Sequence, residues 1–148
     1  TATAEGFRPV KAKYMMDTDT CIYLKRRRPP EVEEKFRYLQ RGQVVMSMIT
    51  YGELYNGATK SREAEAALQN LEKLSEHIPV QPMSLEVATH YGKIRSVLEK
   101  QGNTIGGNDL WIAAHALSLD LIVVTNNTDE FSRVPGLKIE NWLDAPLH

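Results

Sequence analysis

An α/β fold with a mostly parallel central sheet is the architecture this sequence predicts, and three observations carry the prediction. Short apolar runs alternate with longer stretches whose apolar residues recur at helical spacing. Leu121 to Val124 is apolar at every position, the mark of a strand covered on both faces. No internal repeat or low-complexity segment interrupts the alternation, and 148 residues suit one domain.

Taken in order, Thr1 to Lys13 reads as a polar N-terminal arm, and residues 14–148 as a single domain. Tyr14-Met15-Met16 is a buried strand running into Asp17. After Pro29-Pro30, Val32, Phe36 and Leu39 give Glu31 to Gln40 a helical stripe. Gln43 to Met46 is a short strand after Gly42, and Met48 to Ala58 a helix that Gly52 and Gly57 weaken. Arg62 to His77 places Ala64, Ala67, Leu68, Leu71 and Leu74 on one face, and Pro79 to Gln81 is a short strand. Ser84 stands where an N-cap belongs, before a helix with the stripe Leu85, Ala88, Tyr91, Ile94 and Leu98 that stops at Gln101-Gly102. Asn108 to Leu119 is a helix with Leu110, Ala113, Ala114 and Leu117 inward, and Leu137 to Glu140 a last, weaker strand.

Composition sets the class. Hydrophobic residues at 42% and charged residues at 25% are those of an ordinary soluble globule, which excludes collagen-like and disordered chains. Lys and Arg number 18 against 19 Asp and Glu, a net of −1, so no global basic field draws the chain onto nucleic acid. A single cysteine, Cys21, excludes an internal disulfide and a multi-cysteine zinc site, and favours a reducing compartment. No apolar run approaches the roughly 18 residues of a membrane span. Thr1 to Lys13 lacks the apolar segment of a secretory signal. The expected location is the cytoplasm.

In parallel sheets, ligands gather beyond the carboxyl ends of the strands. Asp17-Thr18-Asp19-Thr20 follows the first strand, and Thr125-Asn126-Asn127-Thr128-Asp129-Glu130 the last apolar one. Glu53 and Asp109 lie in apolar surroundings nearby in the pattern. Each has a structural explanation as well. Asp17 or Asp19 suits a helix cap, as does Asn108 or Asp109; Glu53 suits a solvated helix face, and Asn126 and Asn127 suit a turn. Together they converge on one sheet edge. Clustered carboxylates repel one another, and a hard, oxygen-liganded cation such as Mg²⁺ or Mn²⁺ relieves that repulsion. Metal-assisted attack of water on a phosphate ester is the chemistry such a site serves.

At these residues the sequence resembles the PIN-domain family, in particular the VapC-type toxins of bacterial toxin–antitoxin pairs. The carrying segments are MMDTDTCIYL, ITYGELYNGA, GGNDLWIAAHAL and VVTNNTDEFSRVPGLKIENW, in family order from Tyr14 to Leu143. The resemblance implies a three-layer α/β/α fold and a metal-dependent endoribonuclease restrained by a VapB-like antitoxin, with homodimerisation. Its acids match Asp17, Glu53 and Asp109. Asp17 and Asp109 are then metal ligands, Glu53 ligates or orients the attacking water, and Thr125 and Asn126 bond the acids or the scissile phosphate. Two departures stand out. Asn127 occupies the place of a frequent fourth acid, for which Asp129 or Glu130 compensates, and Asp19 replaces the usual Asn.

Other features have weaker claims. Lys25-Arg26-Arg27-Arg28 is either a solvated helix end or an RNA-phosphate patch. Cys21 without a histidine partner reads as a small buried hydrophobe, His115 as structural, and Trp111 and Trp142 as packing residues. Phe36, Tyr38, Leu39 and Tyr55 could line a groove for the antitoxin. Two alternatives compete: a catalytically silent PIN-like module in a DNA-binding toxin–antitoxin complex, and a haloacid-dehalogenase-like phosphatase using Asp17 and Asp19.

Overall fold

The structure is a computed structural model that describes residues 10–144. The arm expected over residues 1–13 therefore lies, for its first nine positions, outside the described residues. Within it, Ala12 packs on the core and the Lys13 N–H donates to Gln43 O at 2.8 Å.

Five parallel strands form the centre: β1 (Tyr14–Met16), β2 (Val44–Ser47), β3 (Val80–Gln81), β4 (Ile122–Val124) and β5 (Ile139–Glu140). Their order is β3-β2-β1-β4-β5. Every pairing is parallel, with Met15 opposite both Val45 and Val123. Seven α-helices connect them among the described residues: α1 (Thr18–Arg26), α2 (Pro30–Arg37), α3 (Met48–Thr59), α4 (Ala64–His77), α5 (Leu85–Lys100), α6 (Gly107–Leu119) and α7 (Thr128–Phe131), with a closing 3-10 turn at Trp142–Asp144.

The period of two along each strand divides the interior into two cores. Met15, Val45 and Val123 face α5, α6 and Phe131 of α7. Tyr14, Met16, Val44, Met46 and Val124 face the opposite way, onto Cys21 and Leu24 of α1, Val32 of α2, Ile78 and Trp142. Both faces are covered, so the central strands β1 and β4 are apolar throughout, while Ser47, Gln81 and Glu140 end the other three, and the molecule has three layers, α/β/α.

Element boundaries differ from the sequence reading by up to three residues, the helix read to Gln40 ending at Arg37, and four further points are instructive. In α5, Leu85 is 82% exposed and Ala88 is exposed, whereas Val87 is buried with Ile94 and Leu98. The true stripe is Val87-Tyr91-Ile94-Leu98, the regular four-three-four spacing. Ser84 holds the N-cap position of α5 without a side-chain capping bond. The centre of α6 is buried all round, from Ile112 to Ala116, because it sits between the sheet and α5. The short helix α7, in a segment read as a turn, places Glu130.

Candidate active site at the sheet switch point

The chain leaves β1 for β2 on one side and returns to β4 on the other, so a crevice opens beyond the carboxyl ends of β1 and β4. Asp17 and Thr125 are the first residues past those two strands. The Asp17 N–H donates to Val124 O at 3.0 Å, which pins the acid to the sheet. Its carboxylate accepts from Thr20 N at 2.9 Å and from the Thr125 hydroxyl at 2.6 Å. Asp17 is thus both the N-cap of α1 and an inward acid; the two readings describe one side chain. Asp19 is exposed in the first turn of α1 and takes no part in the cap, although its charge adds to the rise at Asp17. Burial pushes the Asp17 carboxyl above its ordinary value, against the opposing bonds from Thr125 and Thr20.

Glu53 arrives by a different device. Ser47 ends β2 and caps α3 without an intervening loop, its Oγ accepting from Ile49 N at 3.1 Å. The second turn of α3 therefore overlies the sheet end. One Glu53 oxygen accepts from the Thr18 hydroxyl and the other from Asn108 Nδ2 at 3.0 Å. The solvated-face reading of Glu53 is replaced by a side chain held at both oxygens.

Asp109 lies in the first turn of α6, whose cap position is Gly106. Neither Asn108 nor Asp109 is the N-cap. Asp109 shares a hydrogen bond with Glu130, and burial, that contact and the charges of Glu130, Asp17 and Glu53 push its carboxyl up to about 7. Glu130 is held below its ordinary value, first by Asp109. Glu130 also accepts from Gly106 N at 2.9 Å. A Cβ at Gly106 would stand 3.3 Å from that Glu130 oxygen and 3.9 Å from Asp109 Oδ2, so glycine permits the approach.

The fourth carboxylate at the crevice is therefore Glu130. Asp129 is exposed, and its backbone carbonyl accepts from Ser132. Asn127 is exposed; its N–H donates to Thr125 Oγ1 at 2.8 Å and its side chain bonds Glu130. Asn126 turns away, its side-chain oxygen accepting from Asn141 at 3.2 Å. Thr18 and Asn108 as clamps of Glu53, and Gly106, were not legible as site residues: their partners depend on how the helices are rotated.

Lys25, Arg26, Arg27 and Arg28 are all exposed. Arg27 closes α1 in the left-handed region at φ 56° and pairs with Glu33 at 3.2 Å. Lys25 and Arg26 border a cleft of about 250 Å³ that also touches Thr18 and Glu53. Of the expected antitoxin groove, Phe36 lines a larger cleft of about 560 Å³ between α1, α2 and α4, while Tyr38 and Tyr55 are exposed elsewhere. Cys21 is buried and its thiol is pushed well up by burial and the Asp17 charge, which fits a packing role. His115 is buried between Ser47 Oγ at 2.8 Å and Pro82 O at 3.2 Å.

Asp17, Glu53 and Glu130 thus gather around Asp109 beyond the carboxyl ends of a parallel α/β sheet. Residues 14–137 match the PIN domain, and the chain belongs to the PIN-domain family. Within it, the chain is similar to Ribonuclease VapC1 of Haemophilus influenzae (strain R2866), 42% identical over 130 residues, 87% of this chain and 97% of the relative. It is 43% identical to the tRNA(fMet)-specific endonuclease VapC of Shigella flexneri over 130 residues, 88% of this chain and 98% of that one. Among solved structures it resembles DNA-bound VapBC from Salmonella typhimurium, at 40% identity and a TM-score of 0.83, covering 88% of this chain and 98% of that one. VapBC-1 from nontypeable Haemophilus influenzae gives 40% and 0.81, covering 90% and 99%.

Proposed function

We propose that this protein is a metal-dependent endoribonuclease toxin, acting in the cytoplasm and held in check by a VapB-like antitoxin. The observation that carries the reading is the convergence of Asp17, Glu53, Asp109 and Glu130 on the switch-point crevice in a chain whose relatives are named as VapC nucleases. The structural neighbours named as VapBC complexes support the partner, and the homodimer follows from the family resemblance.

The donors suit a hard divalent ion. They are all oxygen, and the charges of Glu130, Asp17 and Glu53 raise the cost of ionising Asp109, which a cation reverses. Among the described residues, no three acidic, histidine or cysteine side chains are grouped so as to hold one ion as they stand. Asp109 must first release the proton it shares with Glu130. Asp17 and Asp109 would then hold Mg²⁺ or Mn²⁺, with Glu53 and Glu130 beside them. A bound ion of this kind supplies polarisation of a phosphoryl oxygen and activation of water at neutral pH.

The chain's own residues do the rest. Thr125 and Thr20 keep Asp17 oriented, Thr18 and Asn108 fix Glu53 to accept a proton from water, and Asn127 steadies Glu130. Asp17→Asn and Asp109→Asn are expected to lower RNA cleavage by at least 100-fold, roughly the loss of an electrostatic group at a reacting centre, with unchanged circular dichroism. Cleavage-site mapping on total RNA after brief induction checks this; wild-type cutting by either folded variant overturns the site.

A further inference from the structure

On the other flank of α6's first turn lies a concavity of about 300 Å³. Its floor is apolar, from Leu98, Ile105 and Leu110; its rim carries Arg95, Glu99 and Thr104. Gly107 forms part of the wall. Gly107 and Leu110 are one helical turn apart and bracket Asp109 in sequence, so pocket and acidic crevice are neighbouring faces of one turn. Arg133 links them as well: it donates to Thr104 O at 2.7 Å, and its charge bears on Glu130.

Tyr91 also lines the concavity, backed by Trp111. Trp111 and Tyr91 stack with ring centroids 3.8 Å apart and planes 15° apart. The Arg95 guanidinium lies 6.0 Å from the Tyr91 centroid. Arg95 Nε donates to Glu99 Oε2 at 2.9 Å and Nη1 to the Tyr91 hydroxyl at 3.0 Å. Both bonds engage the edge of the guanidinium and hold its plane in place. The Arg95 side chain is nevertheless 56% exposed, where an ion pair adds little to stability. What the arrangement does provide is a planar guanidinium face, its charge paired with Glu99, beside an apolar floor. Unstacked RNA bases stack on such guanidinium planes, and their edges find donors and acceptors of the Glu99 and Thr104 kind. With a net charge of −1 and no broad basic face, contacts to bases would add to the local phosphate contacts available to Lys25, Arg26 and Arg28.

We infer that this pocket is a nucleobase subsite, which takes the unstacked base of a nucleotide flanking the scissile phosphate on the Arg95 plane. The inference rests on the RNA-cleaving reading above and extends it to substrate selection.

The test uses the full chain in chelator, so that nothing is cut, titrated with a single-stranded RNA pentanucleotide and five versions each abasic at one position. Binding is followed by the Trp111 indole NMR signal and by the dissociation constant. The Trp111 signal is expected to move, and one abasic position to weaken binding about tenfold, in line with loss of one stacked base. Arg95→Ala and Arg95→Lys are expected to show the same loss and to ignore that abasic position. An unmoved Trp111 signal, a flat abasic series, or wild-type affinity in Arg95→Lys overturns the subsite. Adding Mn²⁺ to the same RNA scores cleavage separately. Cutting without base-dependent binding removes the subsite alone, and base-dependent binding without cutting removes the nuclease reading alone.

Discussion

Asp109 carries the largest electrostatic consequence of any single side chain at the crevice. Its carboxyl stands at about 7 in the folded protein against 3.8 ordinarily, chiefly through burial and the Glu130 contact. A raised folded value means the folded state binds the proton more tightly than the unfolded chain. The stabilisation is full below about 4 and is lost as pH rises towards 7. In chelator, the melting temperature of the wild type should therefore fall between pH 5 and 8, and that of Asp109→Asn should fall less. A divalent ion should raise the wild-type value at pH 8 and leave the variant nearly unmoved; identical profiles with and without Asp109 would contradict the assignment. Residues of this kind were only partly readable from sequence. The order of acids after strands marked Asp17, Glu53 and Asp109 as candidates. It did not choose between Asp129 and Glu130, because adjacent residues on a helix point about 100° apart and only the rotation of α7 decides which meets Gly106.

At the scale of elements, α3 and α6 are joined by a short relay. The Ile49 N–H donates to Ser47 Oγ, Ser47 lies 2.8 Å from His115 Nδ1, and His115 Nε2 lies 3.2 Å from Pro82 O. A carbonyl can only accept, so Nε2 carries the proton and Nδ1 accepts from the serine. Burial holds the His115 ring below its ordinary value, which keeps it neutral. Ser47→Ala removes the α3 cap and orphans His115 Nδ1, and should cost about 2 kcal/mol by chemical denaturation. Ile112→Ala, in the fully buried centre of α6, should cost about 2–5 kcal/mol. Elements were the most legible scale, since a period of 3.6 or 2 survives in a single sequence. The misplaced stripe of α5 shows the limit: Leu85 precedes the first complete turn, where nothing packs over it. The relay is not legible in sequence, because the partners of His115 lie 68 and 33 positions away.

For the whole molecule, the sheet order decides what sequence distance conceals. Near-neutral charge conceals local asymmetry as well: the acids face the crevice while Lys25 and Arg26 border the adjoining cleft. If that edge tracks phosphates, changing Lys25, Arg26 and Arg28 to Gln should reduce the slope of log affinity against log salt by roughly 2, at about 0.7 per contact on a single strand. Arg27 is left out because Glu33 already engages it. An unchanged slope would return the run to an ordinary helix end. The bond between Thr125 and Asp17 spans 108 positions of chain. During synthesis at about 5–20 residues per second, Asp17 therefore leaves the ribosome many seconds before the hydroxyl that orients it, and before the strand that completes its crevice. Until the fourth strand has been made, the acid waits without the partner that aims it.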